Sequence, residues 1–309
     1  MIAFVFPGQG SQNPGMGAPW VEAWPDLFDA ASEAAGSDVV RLTCSADETE
    51  LRRTDNAQIA TAVCSLAALA SLRAAGVTPA VTAGHSLGEY PALVAAGSLD
   101  DAAAISLVAT RGSAMATAAA RFPGTMAALL GADEHIAQAA CDKAAAGGDP
   151  MVCVANHNAA DQVVISGTEA GVDAAAAAAK ELGAKKALPL RVGGAFHSPL
   201  MAPALVPLAV KVAATPFADA TVPIVANLDA TAHTDAAEIA PLLLGGLCAP
   251  VRWHETMQLL DRLGVDAVVE VGQGGVLHKL AKRALPGRVV ARVAEPADAA
   301  TVADELGGI

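Results

Sequence analysis

The chain has 309 residues, 53% of them hydrophobic, 17% charged and only 3% aromatic, with a formal net charge of −13. That composition excludes an intrinsically disordered chain, and the acidic balance argues against a nucleic-acid binder. The length suits one large domain, or a large one carrying a smaller one.

No uninterrupted apolar run approaches the roughly 20 residues of a membrane span. The stretch Met1 to Pro7 has no basic segment and stops at a proline, so it reads as a first strand rather than a signal peptide. A cytoplasmic protein with no membrane association is expected. The cysteines Cys44, Cys64, Cys141, Cys153 and Cys248 are scattered, which argues against a disulfide framework or a zinc site.

Ile2 to Phe6 predicts a buried strand, and the loop Pro7 to Gln12 follows it. Ala18 to Ala35 is partly amphipathic, with Trp20, Trp24, Leu27 and Phe28 at helical spacing. Asp55 to Ala75 predicts a long helix ended by Gly76. Asp100 is placed to cap a helix over Asp101 to Ala119.

From Thr125 to Leu190 the texture changes. Short β-like runs at Met126–Leu130, Met151–Ala155, Gln162–Ser166 and Lys186–Leu190 alternate with helical stretches at Glu134–Ala146 and Glu169–Leu182. That β-α-β-β-α-β order is the ferredoxin-like arrangement. The expected organisation is a large subdomain from residues 1–124 and 191–309, and an inserted small one from 125–190. Beyond it, helices are expected at Leu200–Ala214, Ala236–Leu247, Trp253–Leu263 and Gly274–Ala284, with strands at Val222–Ala226, Ala267–Val271 and Val289–Val293. The alternation implies an α/β fold with a mostly parallel sheet covered on both faces.

The stretch with the strongest chemical signal is Gly84-His85-Ser86-Leu87-Gly88, between an apolar run and a helical one. A serine on a tight strand-to-helix turn has its hydroxyl exposed, with the positive end of a helix behind it. A serine hydroxyl needs a base. Of seven histidines, His197 stands out, because Gly193, Gly194 and Ala195 precede it and Pro199 follows. It is a loop histidine with room for a substrate.

Phe6-Pro7-Gly8-Gln9-Gly10-Ser11-Gln12, Gly84-His85-Ser86-Leu87-Gly88-Glu89-Tyr90, Arg111-Gly112, Asn156-x-Asn158, Gln162 to Gly167, Gly194-Ala195-Phe196-His197-Ser198, Pro250-Val251-Arg252-Trp253 and Glu270-Val271-Gly272 recur here in order. In these motifs the chain resembles the malonyl-CoA:acyl carrier protein transacylases, from Ile2 to about Val293. The resemblance implies an α/β-hydrolase-like core with the inserted ferredoxin-like subdomain, Ser86 as nucleophile, His197 as base, and backbone N–H groups of Gln9 and Leu87 as oxyanion donors. It implies that Arg111 binds the malonyl carboxylate, and that Gln58, Phe196, Met115 and Asn156 line the substrate pocket. It also implies that a backbone carbonyl at Gly246, where relatives commonly carry glutamine, orients the histidine. Lys185 and Lys186 match positions near the carrier protein. The implied partners are malonyl-CoA, as substrate, and acyl carrier protein, in fatty acid biosynthesis; a monomer with no metal or redox cofactor is expected. A trans-acting acyltransferase of a polyketide synthase, a malonate decarboxylase component and a serine hydrolase are the competing readings.

Overall fold

The computed structural model describes residues 1–146 and 151–307. Six strands form the larger sheet: β1 (Ile2–Phe6), β2 (Val81–Gly84), β7 (Ile224–Val225), β8 (Ala232–His233), β9 (Ala267–Val271) and β10 (Val289–Val293). Their spatial order is β10-β9-β1-β2-β7-β8. Every pairing in it is parallel except β7 with β8.

Strand alternation sends successive residues of β1 to opposite faces. Phe4 and Phe6, both fully buried, pack into the core that contains the long helices Thr54–Ala74 and Asp101–Arg121. Ala3 and Val5 face a second core with Val81, Ala83, Trp253, Met257 and Leu277. Burying each of those phenylalanines contributes about 2–3 kcal/mol. Thr54–Ala74 is the one helix among the described residues long and apolar enough to cross a bilayer. It is instead the central core helix, with 83% of its most apolar window buried.

The four remaining strands form a separate antiparallel sheet: β3 (Thr125–Leu130), β4 (Val152–Ala159), β5 (Gln162–Gly167) and β6 (Lys186–Pro189). Its order, β4-β5-β3-β6, together with the helices Glu134–Ala146 and Glu169–Glu181, is the ferredoxin-like topology. The fold is therefore an α/β-hydrolase-like, mostly parallel core carrying a ferredoxin-like layer.

Local chemistry explains where elements depart from the sequence expectation. Proline at position 25 divides the Ala18–Ala35 run into Ala18–Val21 and Pro25–Ala35, since a proline is tolerated only at a helix start. Of the four apolar residues singled out there, Trp20 and Phe28 are fully buried while Trp24 and Leu27 are half-buried. The strand expected at Val222–Ala226 shrinks to Ile224–Val225, because Pro223 has no N–H for the ladder. Pro203 makes Pro199–Ala204 a 3-10 turn before the helix Leu205–Ala213. Three helices were not expected: Val39–Ser45 and Glu48–Leu51, capped by Asp38 and Asp47, and Asp298–Leu306.

Candidate active site

Strand β2 ends at Gly84, and a 3-10 turn over Ser86–Gly88 leads into the helix Glu89–Ala95. Ser86 has φ +52°, a left-handed conformation that costs a non-glycine residue about 1–3 kcal/mol. The turn closes tightly enough that a Cβ at Gly84 would lie 1.9 Å from the Gly88 carbonyl carbon, and one at Gly88 would lie 2.1 Å from the Phe6 carbonyl oxygen. Only glycine fits at both ends.

Asn227, just beyond β7, clamps the turn. Its Oδ1 accepts the Ser86 N–H at 2.7 Å, and its Nδ2 donates to the Gly84 carbonyl at 2.6 Å. Its own N–H donates to Glu89 Oε1 at 3.0 Å. Burial pushes the Glu89 carboxyl up to about 7, against the opposing pull of Asn227 and Arg111.

His197 meets Ser86 from the loop after the smaller sheet. Its Nε2 lies 2.7 Å from Ser86 Oγ. Its Nδ1 faces the Gly246 carbonyl at 3.0 Å and the Ala249 carbonyl at 3.1 Å. Carbonyls only accept, so Nδ1 carries the proton and Nε2 is bare, facing the serine hydroxyl. His197 also has positive φ, +57°. Burial, then the Arg111 charge, then His85 lower its pKa to about 3, so the ring is neutral at ordinary pH.

Arg111 rises from the middle of Asp101–Arg121 and is only 4% exposed. Its Nη1 donates to Gln58 Oε1 at 2.7 Å and its Nη2 to Ser86 Oγ at 3.0 Å. The guanidinium carbon sits 5.8 Å from the Tyr90 ring centroid. Burial depresses its pKa, opposed by Tyr90 and Glu89. Among the described residues no carboxylate forms a salt bridge with it. A buried cation without a partner anion is unfavourable, and the site is therefore shaped to receive one.

Ser86, Arg111 and His197 line a chamber of about 90 Å³, together with Gln9, Met115, Asn156 and Phe196. Gln9, Asn156 and His85 also line a larger cleft of about 390 Å³, which runs between the two sheets and carries Arg52 and Arg191 on its walls. The sequence expectations for Gln9, Met115, Phe196, Asn156 and the Gly246 carbonyl thus fall together around Ser86. Gln58 does not line the chamber. It is fully buried behind Arg111, with Nε2 donating to Met115 Sδ at 3.3 Å, so it supports the arginine rather than bordering a substrate. The Leu87 side chain is likewise buried beneath the turn. Lys185 and Lys186 stand exposed, away from the chamber, where edge strand β6 begins.

Sequence reasoning missed Asn227, Glu89 and the Ala249 carbonyl. Asn227 had a usable signal, since ligand sites in open α/β sheets gather at the carboxyl ends of strands, and it follows the apolar run Val222–Ala226 directly.

A strained serine on a strand-to-helix turn, with a neutral histidine against its oxygen, defines a serine enzyme able to form an acyl-serine. The chain belongs to the acyl transferase domain family, whose model matches residues 3–306. It is 44% identical over 285 residues to the malonyl CoA-acyl carrier protein transacylase of Bacillus subtilis, covering 91% of this chain and 90% of that protein. It is 41% identical over 299 residues to the protein of that name in Escherichia coli K12, covering 96% of each. Among solved structures, the acyl-carrier-protein S-malonyltransferase of Burkholderia pseudomallei superposes with a TM-score of 0.91 at 41% identity, covering 98% of this chain and 99% of that one. A malonyl-transacylase in complex with a type II PKS acyl carrier protein superposes with a TM-score of 0.92 at 38% identity, with the same coverage.

Proposed function

We propose that the chain transfers a malonyl group from malonyl-CoA to the phosphopantetheine thiol of acyl carrier protein, in fatty acid biosynthesis, through a malonyl-Ser86 intermediate. The observation that carries this reading is Arg111: a buried guanidinium with no carboxylate partner, 3.0 Å from the nucleophilic oxygen. A malonyl thioester brings the missing carboxylate and sets its carbonyl carbon beside Ser86. A neutral ester or an acetyl group lacks that anion.

In the first half-reaction His197 Nε2 takes the Ser86 proton as Oγ bonds to the thioester carbon. The tetrahedral oxyanion is held by the N–H groups of Gln9 and Leu87; one such donor is worth roughly 3–4 kcal/mol. The carbon–sulfur bond then breaks, His197 returns the proton to sulfur, and CoA leaves. In the second half-reaction the carrier's thiol gives its proton to His197 and its sulfur attacks the acyl carbon; the bond from that carbon to Ser86 Oγ then breaks, and His197 returns the proton to Oγ, freeing Ser86. Gly246 and Ala249 hold the imidazole throughout, so no third acidic residue is required. Phe196 narrows the chamber against a branched acyl group.

On this reading the enzyme works as a cytoplasmic monomer, and the transfer itself needs no metal or redox cofactor. The exposed Lys185 and Lys186 meet the acidic carrier, as basic patches steer acidic partners. The test is transfer from malonyl-, acetyl- and methylmalonyl-CoA to a holo-carrier protein, with initial rates measured against both substrates. Parallel double-reciprocal lines and a strong malonyl preference are expected. Release of free malonate with no acylated carrier would overturn the reading in favour of a hydrolase.

A further inference from the structure

Away from the acyl chamber, three ligand-type atoms converge where the smaller sheet meets the larger layer. His157 lies on β4, Glu134 opens the helix Glu134–Ala146, and Glu255 stands in the first turn of Trp253–Arg262. His157 is 8% exposed. Its Nδ1 is 3.2 Å from Glu255 Oε2 and 3.6 Å from Glu134 Oε2, and the three atoms all lie within 4.8 Å of one another.

His157 Nδ1 and Glu255 Oε2 are both buried, and neither meets hydrogen-bond geometry with the other or with any described group. Leaving a buried polar atom unsatisfied costs about 1–3 kcal/mol, so two side by side call for a common partner. Ligands held at about 2.0–2.1 Å around a tetrahedral ion stand roughly 3.3–3.4 Å apart. The two distances from His157 Nδ1 bracket that value. One imidazole and two carboxylates bring a charge of −2, and an imidazole nitrogen favours a transition ion over calcium or magnesium. Three protein ligands leave the fourth position to water. The His254 ring packs on His157 at 4.9 Å and holds it in place.

We propose that Glu134, His157 and Glu255 bind a divalent transition-metal ion of the zinc class that ties the smaller sheet to the larger layer. The backbone N–H of His157 donates to the Val251 carbonyl at 2.9 Å, and its neighbours Asn156 and Asn158 line the substrate cleft. Asn158 Oδ1 in turn lies 2.9 Å from His85 Nε2. The ion therefore fixes the wall of the cleft without touching Ser86. Its role is independent of the acyl group transferred.

The experiment uses the full chain stripped with chelator, titrated calorimetrically with zinc chloride, with magnesium chloride as control, and followed by thermal melting. One zinc ion per chain and a raised Tm are expected, with no response to magnesium. Each of His157→Ala and Glu134→Gln should weaken zinc binding by at least about tenfold. Glu134 is exposed, so that variant keeps its fold. Affinity should fall as pH drops, because His157 must shed its proton to bind. Absence of saturable zinc binding, or binding undiminished in either variant, overturns the proposal; the cluster is then an imidazolium between two carboxylates.

Discussion

Arg111 Nη2 donates to Ser86 Oγ at 3.0 Å. In the acyl-free enzyme the cation that awaits a carboxylate thus rests on the nucleophile and draws electron density from it. On the proposed mechanism an incoming malonyl carboxylate would take over that donor, leaving Ser86 Oγ paired with His197 Nε2 alone at 2.7 Å. Substitution Arg111→Ala should reduce kcat/KM for malonyl-CoA by about 10- to 150-fold, since a hydrogen bond to a charged group is worth roughly 1.5–3 kcal/mol. Acetyl-CoA should be affected far less. Lysine at this position, unable to form the bidentate fork, should give an intermediate malonyl preference. Steady-state rates with both thioesters decide; an unchanged malonyl-to-acetyl ratio in the alanine variant would refute the assignment.

The pH dependence follows from His197. Its pKa of about 3 puts the base in its active, neutral form across the neutral range, and kcat/KM reports groups of the free enzyme. No acid limb should appear near pH 6.5, where an ordinary imidazole titrates. A limb centred there would contradict the assigned environment.

The same pKa values give stability signs that can be separated. Between the ordinary histidine value and about 3, the unfolded chain binds a proton at His197 that the native chain refuses, so this group makes stability fall as pH falls. Glu89, raised to about 7, acts oppositely: its native form keeps a proton that the unfolded chain releases, and stability falls as pH rises through 7. Melting curves from pH 4 to 8 should show His197→Ala with a shallower acid-side loss, and Glu89→Gln with a shallower loss toward pH 7, than the wild type.

Asn227 is predicted to act as a positioning residue. Asn227→Ala leaves the Ser86 N–H and the Gly84 carbonyl without their partners at 2.7 and 2.6 Å. With each unpaired group costing about 1–3 kcal/mol, kcat should fall about 10–100-fold while KM changes little. Asn227→Asp keeps the acceptor but loses the donor, and should recover part of the rate. Equal loss in both variants would show that the acceptor is not what matters.

Two glycines near the site should respond in opposite ways. At Gly88 an added Cβ would meet the Phe6 carbonyl oxygen at 2.1 Å, backbone that cannot swing aside. Gly88→Ala should lower stability by up to about 3 kcal/mol, as overpacking does, and abolish acylation. At Gly246 the nearest atom is 3.4 Å away, and the group that orients His197 is a carbonyl. Gly246→Ala should stay within about twofold of wild type in kcat, because although the position is buried an added Cβ would make only ordinary van der Waals contact; a large loss would mean that glycine itself is required there.

How much could be read in the chain depends on the reach of each signal. The elbow was legible because Gly84, Ser86 and Gly88 are adjacent and their steric roles are local. The order of the smaller sheet was legible because each strand and helix there has its own period and the connections are short. Arg111 was legible only through the resemblance: on a helix of 21 residues nothing local separates a buried arginine from a surface one. Pocket lining and core-facing support could not be told apart for Gln58 for a related reason, since its burial behind Arg111 depends on how two long helices pack. Asn227 lies 141 residues from the turn it clamps, a contact that exists only once β7 joins β2. The short helices Val39–Ser45 and Glu48–Leu51 left local marks in their capping aspartates, but too few apolar repeats to announce a period.

On the proposed mechanism Ser86 carries the malonyl group between the two half-reactions. Intact-mass spectrometry after brief incubation with malonyl-CoA tests it most directly. A single malonyl adduct is expected on the wild-type chain, located to the peptide containing Ser86, discharged by holo-acyl carrier protein and absent from Ser86→Ala. No adduct on the wild type, or an undiminished adduct on Ser86→Ala, would contradict it.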